Sequence, residues 1–142
     1  MADKPIYYDF LGHWVMIPES CSYDQGEPPT AASCYIVESD GQVRFIMEWT
    51  DAGGKKEEIE FAGIPNGVPT PFNGGDLADE MTITAVSPRE LNSAAFFQGR
   101  ELMIAQRQLD ETGQAMRITQ MVRLPDGQQI ANVATYQRML HH

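Results

Sequence analysis

The residues best suited to chemistry in this chain stand near its C-terminus: Arg117, Arg123 and Tyr136. A guanidinium offers a bidentate fork and a phenol adds a donor, so Arg117 with Tyr136 could hold a carboxylate. Phe45, Met47 and Trp49 recur at a period of two and could floor a pocket, although core packing explains the same spacing. Nucleophilic catalysis finds little to use. Gly-x-Ser-x-Gly, P-loop, Gly-x-Gly-x-x-Gly and His-Glu-x-x-His runs are absent. His13 is the one histidine outside the terminal His141-His142 pair. Glu57-Glu58-Ile59-Glu60 reads as the solvated face of a strand rather than a catalytic carboxylate pair. Gly53-Gly54 and Gly74-Gly75 read as turn glycines, because no helix follows to cradle a phosphate. Cys21 and Cys34 lack the spacing of a metal site, and a reduced pair is the expectation unless the protein is secreted. No catalytic set, metal or cofactor is expected.

Strands must position these side chains. From residue 30 onward, runs rich in Val, Ile, Thr, Phe, Tyr and Met alternate with turn chemistry. Predicted strands span residues 33–39, 42–50, 55–62, 80–86, 91–97, 100–109, 115–124 and 129–140. Residues 5–14 suit a short N-terminal turn or helix leading into the first strand, and residues 64–75 form the one long irregular connection. Such regular hairpins indicate an all-β fold, an up-and-down antiparallel barrel of about eight to ten strands.

Asp-Gly pairs suit type I′ turns, in which both central residues take positive φ. At Asp40-Gly41 this pairs Ile36 with Phe45 and Cys34 with Met47 on one face, Tyr35 with Ile46 and Val37 with Arg44 on the other. If Asp126-Gly127 is likewise a two-residue loop, Pro125 faces Gln128 and Arg117 faces Tyr136. Binary patterning puts the Met116, Ile118 and Val122 face inside, whereas anion binding by Arg117 needs the opposite face inside. Both hairpins are partly apolar on both faces, which suits a closed barrel better than an open sheet.

The 142 residues fit one domain, residues 1–142, long enough to bury a core without staples. Ten basic against twenty acidic residues give a net charge of −10, which argues against nucleic acid or an anionic membrane as partner. No stretch has the apolar length of a membrane span. The N-terminus shows no export signal, so the chain as it stands reads as cytoplasmic, or as secreted if a leader has been removed.

Gly12-His13-Trp14 near the start and Tyr136-Gln137-Arg138 near the end resemble the calycins, the lipocalin and fatty-acid-binding-protein group. That resemblance implies that Trp14 packs across the barrel floor against Arg138, a cation–π closure of one end. Ser20 to Pro29, the Asp-Gly hairpins, and Asn132, Val133, Tyr136 and Arg138 in the last strand also look like an uncharacterised bacterial lipocalin-like family. The second lipocalin motif, Thr-Asp-Tyr, is missing, as is the glycine-rich start of the haem-binding barrels.

The functional expectation is a binding module for a small, partly apolar or amphipathic molecule such as a carboxylate, held by Arg117, Tyr136, Arg123, Phe45 and Trp49. The alternative is a non-catalytic interaction domain with a self-filled barrel, forming a homodimer or other interface through residues 64–72.

Overall fold

The computed structural model describes residues 4–24, 26–72 and 78–139. The turn glycines Gly74 and Gly75, and the terminal histidines, lie outside the described residues. A 3-10 turn at Tyr8–Phe10 leads into β1 (Gly12–Met16), and a second at Pro18–Ser20 precedes the short β2 (Ser22–Tyr23). The long strands follow: β3 (Ala31–Ser39), β4 (Gln42–Thr50) and β5 (Lys56–Gly63), then a two-residue β6 (Thr70–Pro71). After it come β7 (Glu80–Ser87), β8 (Glu90–Phe97), β9 (Arg100–Leu109), β10 (Ala115–Arg123) and β11 (Gln129–Arg138).

These strands form a nearly closed antiparallel barrel in the order β5-β4-β3-β1-β11-β10-β9-β8-β7-β6, with β2 pairing onto β11. Almost every neighbour in space is a neighbour in sequence, as hairpin connections dictate. The seam lies between β5 and the β6–β7 edge, where no ladder is formed among the described residues. Side chains bridge it instead, with Phe61 edge-on to Phe72 at 6.5 Å. The connection expected to be irregular is partly ordered along β7: Gly67 N–H donates to the Ile83 carbonyl at 2.9 Å, and Asn66 bridges Thr84.

The Asp40-Gly41 turn is of the predicted kind. Both residues have positive φ, 54° and 79°, and Ile36 pairs with Phe45 and Cys34 with Met47. The second Asp-Gly hairpin differs from expectation by one residue. Leu124, not Pro125, faces Gln128, and its N–H donates to the Gln128 carbonyl at 2.8 Å. The loop is Pro125-Asp126-Gly127, a type I turn closed by Gly127 N–H on the Leu124 carbonyl at 3.0 Å, with Gly127 at φ 90°. The cause is Pro125. Its ring locks φ near −65°, which suits the second position of a type I turn followed by a left-handed glycine.

One residue of slip reassigns every pair in a two-stranded ladder. Met116 now faces Tyr136, Ile118 faces Ala134, and Arg117 faces Thr135. The face bearing Met116, Ile118 and Val122 turns inward, where Met116 and Ile118 are buried. Trp14, Phe10, Ile36, Val43, Phe45, Leu91 and Met116 make the centre of one continuous core.

At one end of the barrel the N-terminal segment folds under the strands. Trp14 is fully buried, and its Nε1–H donates to the Phe10 carbonyl at 2.9 Å. The Arg138 guanidinium lies 4.3 Å from the Trp14 ring centroid. Its Nη1 donates to the Leu11 carbonyl at 2.8 Å, its Nε to the Gly113 carbonyl at 3.1 Å, and its Nη2 to the Asp9 carbonyl. A Cβ at Gly12 would stand 2.9 Å from Arg138 Nη1, so the glycine (φ 138°) leaves room for that clamp.

Candidate functional site

Inside the barrel, toward the end opposite Trp14, is a cavity of about 410 Å³. Its apolar wall comes from β4 and β5, where alternate residues Met47, Trp49, Ile59 and Phe61 face inward. Its polar wall comes from Arg107 and Ser93 on β9 and β8, with Tyr136 on β11.

Arg107 is the unusual residue. It lies on the inward face of β9, across the ladders from Leu91 and Ile118, and only 1% of it is exposed. Its guanidinium packs on Phe45 at 4.4 Å from the ring centroid, and Nη1 donates to Ser93 Oγ at 3.0 Å. Nε is buried and has no hydrogen-bond partner. Among the described residues the ion pairs are Arg44–Glu60 and Lys55–Glu57, so no carboxylate neutralises Arg107.

The neighbouring titratable groups do not supply an anion either. Burial pushes the Cys34 thiol up to about 11, with the positive charge of Arg107 opposing only in part. Burial pushes the Tyr136 phenol above its ordinary range, aided by Cys34 and Tyr23 and opposed by Arg107. Both groups are therefore neutral near pH 7. Burial also pulls Arg107 below its usual value, yet a guanidinium holds its proton across the physiological range. A desolvated cation without a counter-charge in the wall of a cavity is a site for an anion.

The residues named from sequence divide between the two faces of the wall. Tyr136 and Trp49 line the cavity, and Phe45 is buried behind it as the platform for Arg107. Arg117 does not join them. It stands exposed on the outer face and donates from Nη2 to Gln108 Oε1 at 3.0 Å. Arg123, exposed at the end of β10, shares that outer face. The expected facing of Arg117 and Tyr136 is thus corrected by the one-residue register shift, which puts them on opposite sides of the wall.

Arg107 was not singled out by motif or spacing. Strand β9 has apolar residues on both faces, Leu102 and Ile104 outward and Met103 and Ala105 inward, so alternation alone does not say where Arg107 points. Carrying the correct β10–β11 register one strand further would have found it, since inward Ile118 pairs with Arg107. Cys21 and Cys34 are free thiols, and Cys21 Sγ lies 3.5 Å from Met16 Sδ. Among the described residues no helix is long and apolar enough to cross a membrane.

No family model and no curated protein sequence matches the chain. Solved structures do. The chain is similar to a Schistosoma mansoni fatty acid binding protein in complex with arachidonic acid, at 12% identity and a TM-score of 0.61, over 96% of this chain and 100% of that one. It is similar to a zebrafish ileal bile acid-binding protein complexed with cholic acid, at 12% identity and a TM-score of 0.53, over 92% and 99% of the two chains. A bovine odorant binding protein complexed with its natural ligand aligns at 12% identity and a TM-score of 0.51, over 100% of this chain and 78% of that one. The fold is calycin-like. The likeness to the bacterial lipocalin-like family rests on the order of its motifs alone.

Proposed function

We propose that this protein binds a small molecule with an apolar body and a carboxylate, the body against Met47, Trp49 and Phe61 and the carboxylate on Arg107. The observation that carries the reading is the buried Arg107, without a counter-charge and with an unpartnered Nε beside a cavity of about 410 Å³. Such a volume falls within the range of small-molecule sites, and the lining has their usual make-up of apolar walls with few polar groups. Structural neighbours that are fatty acid, bile acid and odorant binders support the apolar part of the reading. They are binding proteins, which accords with a non-enzymatic role. The alternative of a barrel filled by its own side chains is disfavoured by the cavity.

Titration with a fluorescent fatty acid tests this. Wild type should bind it, and Arg107→Met should weaken it by about 1.5–3 kcal/mol, the worth of a hydrogen bond to a charged group. The matching fatty alcohol should lose much less. Equal binding of acid and alcohol to wild type would remove the carboxylate from the proposal.

A further inference from the structure

The same cavity has a second polar region, and its sign is opposite to that of Arg107. Where the cavity opens to solvent it is lined by Glu27 and Asp51 beside the half-buried Trp49, while Glu48 turns to the outer face of β4. Arg107 is the sole basic residue among the lining side chains. Neither carboxylate takes part in an ion pair among the described residues, and Lys55, the cation nearest Asp51, is paired with Glu57. The mouth is also stiff. Asp51 Oδ1 accepts from the Gly53 and Lys55 N–H groups at 2.9 Å each, and Glu27 is followed by Pro28-Pro29.

A plain anion entering beside Trp49 meets Glu27 and Asp51, in a chain of net charge −10. Local repulsion of that kind acts within a screening length of about 8 Å at physiological ionic strength. A cationic group gains at the same place. Carboxylates supply charge, and the Trp49 ring supplies the π face that ammonium and quaternary ammonium groups prefer.

We propose that the ligand is bipolar, with an anionic group on Arg107, an apolar middle, and an amine or quaternary ammonium held at the mouth by Trp49, Glu27 and Asp51. This rests on the reading of Arg107 as the anion site and adds the chemistry of the ligand's other end.

Calorimetric titration of three matched probes separates the two claims: ω-aminododecanoate, dodecanoate and dodecylammonium. Wild type should bind ω-aminododecanoate about tenfold more tightly than dodecanoate, a margin in the range of one cation–π contact, and added salt should narrow it. The double variant Glu27→Gln/Asp51→Asn keeps the turn acceptor at residue 51. It should bring ω-aminododecanoate down to the level of dodecanoate, while dodecanoate binds as well as before or better. Arg107→Met should weaken both carboxylates and leave their ratio in place. Dodecylammonium, lacking the anion, should bind more weakly than ω-aminododecanoate. Dodecanoate binding at least as tightly as ω-aminododecanoate, in an Arg107-dependent way, would overturn the bipolar ligand and leave the anion site standing. Failure of both carboxylates to bind would overturn both.

Discussion

At the scale of single residues, Arg107 is a cost that the fold carries. A guanidinium removed from water loses several kcal/mol of solvation, and here one hydrogen bond to Ser93 and the Phe45 ring return only part of it. Residues kept at such a cost belong to function more often than to stability, because an apolar isostere in the same place is commonly neutral or stabilising. The ligand-free Arg107→Met variant should therefore melt at or above the wild-type temperature, with a gain of up to about 1–4 kcal/mol. Differential scanning calorimetry on delipidated protein measures this. A fall of several degrees would show that Arg107 holds the core together, and would weaken its assignment as an anion site. The opposite case is Arg138, also a cation on an aromatic ring, but one whose three nitrogens each donate to a main-chain carbonyl. The two arginines differ in what completes them: main-chain carbonyls complete Arg138, while Arg107 keeps an unpartnered Nε that the proposed ligand site would use.

At the scale of elements, strands were legible because turn residues punctuate them. The predicted spans at 42–50 and 100–109 coincide with β4 and β9, and the others differ by a residue or two at their ends. Strand pairing was legible where the turn had a single backbone solution, as at Asp40-Gly41. It was not legible at Asp126-Gly127, because Pro125 adds a third loop residue with φ already set, and the pair alone does not say whether the loop holds two residues or three. That one residue decided whether Arg117 and Tyr136 share a face of the wall. The consequence can be tested directly. Removing Pro125 leaves Asp126-Gly127 as a two-residue loop between the same partners, Leu124 and Gln128, so the ladder of β10 and β11 keeps its register. The deletion should change stability by less than about 1–2 kcal/mol in a urea melt and leave fatty acid binding intact. A large loss, or loss of binding, would mean that the strands slipped and Tyr136 left the cavity.

At the scale of the whole molecule, the barrel separates its closed end from the proposed binding cavity. One end is sealed by Phe10, Trp14 and Arg138, and the N-terminal segment, β1, β11 and the 110–114 turn all meet there. The cavity with Arg107, Tyr136 and Trp49 lies toward the other end, along β4, β5, β8, β9 and β11. Strand β11 is the shared member, carrying Tyr136 into the cavity and Arg138 into the seal two residues later. Trp14 is fully buried and is one of the largest side chains of the core, so Trp14→Ala should cost about 3–5 kcal/mol. The variant also strips Arg138 of its aromatic face and leaves the Phe10 carbonyl without its indole donor. In contrast, Trp49→Leu removes a half-buried ring at the mouth, should cost much less stability, and should instead weaken ligand binding. Urea melts and fatty acid titrations of both variants measure the division: Trp14→Ala should lose stability while its folded fraction binds with nearly wild-type affinity, and Trp49→Leu should do the reverse. If Trp14→Ala melts like wild type, the seal does not rest on that ring. If its folded fraction loses affinity as much as Trp49→Leu does, the two ends are coupled and the cavity's shape depends on the floor.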